Sequence, residues 1–161
     1  MPEQRIIEPP KPPTRIIYVD ASNQILGRLA SKVAKLVKMG YQVYIVNAEK
    51  AVMSGDPQMV IHSYLKLLRV KVHVNPYKWG PKRPRNPVNI VKAAIKGMLP
   101  KGWRGIKLLK RVKVYIGLPD EFKDKRLVRF PDADATRLAR KYIRVEEVAK
   151  AMGWAGVRVR Q

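Results

Sequence analysis

Two short apolar runs, Arg15–Asp20 (RIIYVD) and Gln42–Val46 (QVYIV), flank a stretch whose apolar residues recur at helical spacing. Leu26, Leu29, Ala30, Val33 and Val37 form that stripe, Ser22 or Asn23 is placed to cap it, and Met39-Gly40 supplies a stop. The second run hardly alternates, as in a strand covered on both faces. Strand, helix and strand within about thirty residues predict a βαβ unit, with parallel strands and a right-handed crossover. Few folds accommodate such an opening, and the class it predicts is α/β.

The next constraint is electrostatic. From Pro57 to Leu118 the chain contains no aspartate or glutamate, yet fifteen Lys and Arg residues lie between Lys66 and Lys113. Asp20, Glu49 and Asp56 are the only carboxylates between residues 9 and 119, and each has a structural role available at a strand end or cap. Uncompensated like charges repel and destabilise a compact state, so this pattern implies that the countercharge comes from another molecule. The whole chain agrees: 161 residues carry a formal charge of +22. An apolar fraction of 46% rules out a merely disordered basic tail. Nucleic acid is the commonest polyanion and an anionic membrane surface the other candidate; no apolar run approaches the ~18 residues that a membrane span needs. The absence of cysteine excludes disulfides, thiolate metal sites and cysteine nucleophiles. Without a signal-peptide core in the N-terminal segment, the expected location is the cytoplasm.

Residues 1–14 (MPEQRIIEPPKPPT) read as an extended proline-rich tail, since four prolines fix φ and remove donors. The polar face of the first helix carries Arg28, Lys32, Lys35 and Lys38 without a neighbouring carboxylate. A solvated face and a phosphate-contacting face are both compatible with that pattern. Asp56-Pro57 opens a second helix with Val60, Ile61, Tyr64, Leu65 and Leu68 as its stripe. Lys66 and Arg69 in its last turn suit the helix dipole as well as they suit a ligand. From Val70 to Pro87 (VKVHVNPYKWGPKRPRNP) prolines and a glycine predict an irregular segment. There Lys78, Trp79, Gly80, Lys82, Arg83 and Arg85 mix cations with a flat ring and a glycine, a composition suited to phosphate and base contact.

Asn86-Pro87 starts a third helix, with Ile90, Val91, Ala94, Ile95 and Met98 inward and Lys92 and Lys96 outward. A basic turn around Lys101 and Arg104 follows, then a short helix with Lys107, Lys110 and Arg111, and a strand over Val112–Ile116. Acid returns only beyond Asp120, marking a C-terminal extension. In it Leu127, Val128 and Phe130 look extended, Asp134 caps a short helix through Arg137 and Lys141, Tyr142–Arg144 is a brief strand, and Val145–Met152 is a helix. Trp154 is expected to anchor the packing there. His62 and His73 are isolated, and neither a dinucleotide glycine fingerprint nor a phosphate-binding GKS/T loop occurs. No metal, cofactor or catalytic group is expected.

Several strings in fixed order carry a resemblance. They are VDA at 19–21 with LGRLAS at 26–31, VNAE at 46–49 with SG at 54–55, GP at 80–81 with RNP at 85–87, GMLP at 97–100 with RG at 104–105, and LKRVKVYIG at 109–117. Over residues 16–118 the chain resembles the universal ribosomal protein L-thirteen family of the large subunit, in its archaeal and eukaryotic branch. The resemblance implies a three-layer α/β/α core with a mostly parallel sheet of about four strands, large-subunit ribosomal RNA and neighbouring ribosomal proteins as partners, and a role in subunit assembly. It also implies that the segments around 80–87 and 97–105 sit against RNA. Together these readings give one domain, with a tail to residue 14, a core over 15–118 and an extension over 119–161. Its function would be that of a non-enzymatic rRNA-binding constituent of the large subunit. The alternatives are a general nucleic-acid-binding protein and an RNA-processing enzyme outside the ribosome.

Overall fold

In the computed structural model, which describes residues 15–156, the βαβ unit is present. Strand β1 (Ile16–Asp20) leads into helix α1 (Leu26–Lys38), and β2 (Gln42–Val46) returns parallel to β1, with Ile16 opposite Gln42 and Asp20 opposite Val46. The tail predicted for residues 1–14 lies outside the described residues. Helix α1 begins later than its expected caps. Its N-cap is Ile25 and makes no side-chain bond, because the Ser22 hydroxyl donates instead to Asp20 at 2.8 Å.

The chain then forms β3 (Val52–Ser54), α2 (Pro57–Arg69), α3 (Pro76–Trp79), α4 (Pro87–Met98), α5 (Trp103–Leu109) and β4 (Val112–Val114). Strand β4 adds parallel to β2 and ends at Val114, short of the predicted Ile116. Beyond it the Tyr115 N–H still donates to Ile45 at 2.8 Å, while the Ala48 and Asn47 N–H groups donate to Tyr115 at 3.1 Å and Gly117 at 2.9 Å. β5 (Leu127–Val128) pairs parallel to β1 on the other edge, which completes the order β4-β2-β1-β5. β6 (Tyr142–Arg144) pairs antiparallel with β3 and runs directly into α6 (Val145–Ala151). The predicted sheet of about four mostly parallel strands is therefore found.

Going from β1 to β2 to β4 the sheet grows in one direction, so right-handed crossovers place α1 and α4 on one face. There Leu29, Val33 and Val37 of α1 and Ile90, Val91 and Ile95 of α4 bury against Val19, Val43, Ile45 and Val112. Each such side chain contributes on the order of 1.5–3 kcal/mol. The opposite face is thinner. Tyr18 and Tyr44 sit side by side there, and Phe122, from the turn leading to β5, packs on both with centroids at 5.2 and 5.6 Å. β2 therefore alternates more than its sequence suggests, with Val43 and Ile45 buried and Gln42 and Tyr44 half-buried. A second cluster joins Ile143, Val148 and Met152 to the half-buried stripe Val60, Ile61, Tyr64 and Leu68 of α2. Trp154 packs on the main core as expected.

The carboxyl ends of β1 and β2 are fastened by Asp20. It accepts from the Ser22 N–H at 3.0 Å and from Asn47 Nδ2 at 2.9 Å, with Arg129 Nε at 3.8 Å. Burial pushes this carboxyl up, but the bonds from Asn47 and Ser22 and the Arg129 charge outweigh it and hold it below its ordinary value. A group depressed in the folded state contributes stability that is present above its unfolded pKa and lost as pH falls through the folded one. Urea unfolding followed against pH should therefore show stability declining on acidification below about pH 4, with a shallower decline for Asp20→Asn. A second expectation concerns Gly105, which is buried in α5 and lies where a methyl group would overlap the Pro100 carbonyl oxygen. Alanine there gains roughly 1 kcal/mol of helix propensity, but overpacking costs about 1–3 kcal/mol. Gly105→Ala should lower the urea midpoint.

Candidate nucleic-acid interface

Cations in this chain divide according to what faces them. On α1, Arg28 Nη1 donates to the Asp132 carbonyl at 3.0 Å, and Lys32 Nζ meets the Asp132 carboxylate at 3.1 Å. Arg137 approaches the same carboxylate at 3.4 Å. The Lys32 hydrogen bond and charge, helped by Arg137 and Arg28, hold the Asp132 carboxyl below the ordinary range. The acidic extension thus supplies part of the countercharge for α1, while Lys35 stays exposed. Sequence spacing gave no sign of this contact, which spans a hundred residues.

The fifteen cations from Lys66 to Lys113 behave differently. Among the described residues none of them forms an ion pair with a carboxylate; the pairs that do form use Lys32, Lys123, Arg129, Arg137 and Lys150. All are exposed except Lys92, which is half-buried.

Local structure holds them in place. The segment expected to be irregular contains one helical turn, α3, because Asn75-Pro76 repeats the cap-then-proline start seen at Asn86-Pro87. The Asn75 side chain accepts from the Tyr77 and Lys78 N–H groups, each at 3.1 Å. Trp79, 64% exposed, ends that turn with Lys78 Nζ at 5.2 Å from its ring centroid. Gly80 packs so closely on the Pro76 carbonyl that a side chain would clash there. Next, the Arg83 guanidinium lies 4.2 Å from the Tyr64 ring centroid and clips the loop to α2. Lys82 beside it is free of any such contact, and Arg85 is exposed just ahead of the α4 cap.

The two basic segments meet at α4. Ala93 lines the hollow that contains Lys82 and Arg83, and it also lines the one that contains Lys96 and Lys101. On α5, Lys107 Nζ is 4.5 Å and the Arg104 guanidinium 5.7 Å from the centroid of Trp103, which is 62% exposed. Past α5, Lys110 shares a third hollow with Lys92 and Lys113, while Arg111 lies near the Gly40 turn. Residues 78–85 and 96–110 thus bracket one helix in the chain, and the hollows that hold Lys82 and Arg83 and Lys96 and Lys101 meet at Ala93, with α1 as a separate and partly neutralised contribution. Lys92 and Lys113 share that third hollow although the sequence marks neither as a contact: Lys92 reads only as an outward position one helical turn before Lys96. Sequence reading took Tyr64 only for core, since a stripe at helical spacing does not reveal which ring receives an arginine. Among the described residues there is no group of His, Cys, Asp and Glu able to hold a metal ion, and no helix long and apolar enough to cross a membrane.

Arg83 and Lys82 should separate in mutagenesis. Tyr64→Leu removes a loop clip worth roughly 0.5–1 kcal/mol, so RNA affinity should fall about two- to fivefold with the log–log salt slope unchanged. Lys82→Ala removes a cation and should flatten that slope by somewhat under one unit. Fluorescence anisotropy across a salt series reads both.

Comparison with known proteins agrees with the geometry. A family model described as Ribosomal protein L13 matches residues 14–121. The large ribosomal subunit protein uL13 of Saccharolobus solfataricus is 51% identical over 142 residues, covering 88% of this chain and 95% of its own. That of Aeropyrum pernix is 54% identical over 144 residues, covering 88% and 92%. The Methanococcus maripaludis protein of the same name is 39% identical over 140 residues, covering 86% and 98%.

Proposed function

This chain belongs to the ribosomal protein L13 family, and from that premise we propose that it is a structural constituent of the large ribosomal subunit. In this reading it binds ribosomal RNA in the cytoplasm, contacts neighbouring ribosomal proteins, and supports subunit assembly and translation without catalysing a reaction. The observation that carries the proposal is the set of cations between Lys66 and Lys113, exposed on a folded core and lacking carboxylate partners among the described residues.

Lys78, Lys82, Arg85, Lys96, Lys101 and Lys110 neutralise phosphates directly and release counterions. Arg104, Lys107 and Arg111 extend the same surface. Trp79 and Trp103 offer flat faces to unstacked bases, and Gly80 lets the backbone approach closely. Arg83 acts chiefly by holding the loop, and Arg28, Lys32 and Lys35 add a weaker contribution from α1.

Two measurements test this. Sedimentation of a cell extract should place the protein with the large subunit; recovery only in the free pool overturns the assignment. Anisotropy titrations should give steeply salt-dependent binding to large-subunit rRNA, tighter than to duplex DNA at matched salt. Charge reversal of Lys82 and Arg85 should weaken that binding and flatten its salt slope.

A further inference from the structure

Between α4 and α5 lies a hollow of about 450 Å3 that none of these phosphate contacts requires. Ala93 and Gly97 of α4 form one wall, Ile106 and Leu109 of α5 the other, and Leu99 and Pro100 close the end. Gly105 of α5 sits tight against the Pro100 carbonyl, and both residues line the hollow. The volume lies within the roughly 300–1,000 Å3 usual for ligand pockets. Its charged groups are Lys96 and Lys101, both exposed. Ile106 is 57% exposed beside it, and Trp103, under Lys107, stands on the same short helix.

An apolar slot with a cationic mouth fits a ligand that is flat and apolar at one end and anionic at the other. We propose that this hollow receives one unstacked nucleobase of the ribosomal RNA, with its flanking phosphates on Lys96 and Lys101. An apolar protein side chain would also fit the walls, but its own chain would have to bring acid to two lysines here and to Lys92, Lys110 and Lys113 in the adjoining hollow. RNA carries an anion on every nucleotide, so the charge pattern favours it. A paired base is held inside a helix, which restricts the occupant to a bulge, loop or end. The inference rests on the rRNA-binding reading above and adds a subsite to it.

Gly97 provides the test. It lies on α4, is exposed, and has open space where a side chain would be built. Gly97→Phe therefore fills the hollow without removing a cation, and Ala93→Phe does so from one turn earlier on α4. The full chain is bound to full-length large-subunit rRNA, crosslinked with short-wavelength ultraviolet light, digested and read by mass spectrometry. The expected result is a nucleotide adduct within residues 93–109 that both variants abolish, with adducts at residues 77–85 retained in Gly97→Phe. Affinity should fall at least about fivefold, the lower end of what stacking one base contributes. No adduct at 93–109 in the parent chain, or one that survives both variants, overturns the subsite and leaves rRNA binding standing. A ribosomal peptide crosslinked at these residues in assembled subunits likewise overturns it. No salt-dependent binding to the rRNA overturns the functional reading itself.

Discussion

The packing of α1 against α4 sets the position of almost everything on the cationic side. It follows from chain handedness: two successive crossovers that extend a parallel sheet in one direction must both lie on the same face. Once Leu29, Val33, Ile90 and Ile95 are buried between those helices and the sheet, the ends of α4 are fixed in space. The basic loop enters at one end of α4 and the glycine-rich basic turn leaves at the other. Neither segment has a core of its own. Both take their geometry from a helix held by apolar burial, so the stability of the sheet face and the shape of the interface are the same problem.

Electrostatics then separates the cations into two groups. Asp132, brought over from the C-terminal segment, faces Arg28 and Lys32. No carboxylate among the described residues pairs with the cations of α4 and α5. Several cations between Lys66 and Lys113 meet an aromatic face instead: Arg83 of the basic loop on Tyr64, Lys78 of α3 on Trp79 and Lys107 of α5 on Trp103. Such contacts contribute about 0.5–1 kcal/mol each at exposed sites, enough to hold a side chain in position. They do not neutralise its charge. A carboxylate would do both, and would cancel the attraction that an RNA surface depends on. Aromatic partners therefore order the cations while leaving their field intact.

Much of this was legible in the residues. The βαβ start, the amphipathic stripe of α4 and the short strand Tyr142–Arg144 followed from period and capping chemistry, which are local. The one-turn helix at Pro76 was equally local, since Asn75-Pro76 is the signal used at Asn86-Pro87, but the density of prolines around it masked the cap. What could not be read is long-range. Asp132 meets Lys32 across a hundred residues, and Arg83 finds Tyr64 only because α2 packs beside the loop. The thin second face of the sheet was hidden for a similar reason: Tyr18 and Tyr44 are apolar enough to suggest cover by a helix, whereas Phe122 packs on both, with Tyr115 beside it on Tyr44. Composition identified a cationic face; which of its members are already engaged depends on tertiary contacts.

That division has a consequence for ionic strength. In the free chain the exposed cations around α4 repel one another, and salt screens that repulsion over a Debye length of about 10 Å at 0.1 M. Added salt therefore stabilises the fold. On RNA the same cations have phosphate partners, and added salt weakens the complex through counterion release. The two dependences have opposite signs and arise from one set of side chains. Because Lys32 and Arg137 are paired with Asp132, they contribute little to either. Lys82, Lys96 and Lys101, which lack carboxylate partners among the described residues, contribute to both. RNA thus relieves a strain that the sequence builds in by excluding carboxylates from residues 57–118. The free energy of binding includes that relief, and the surface is complete only when its countercharge arrives from outside the chain.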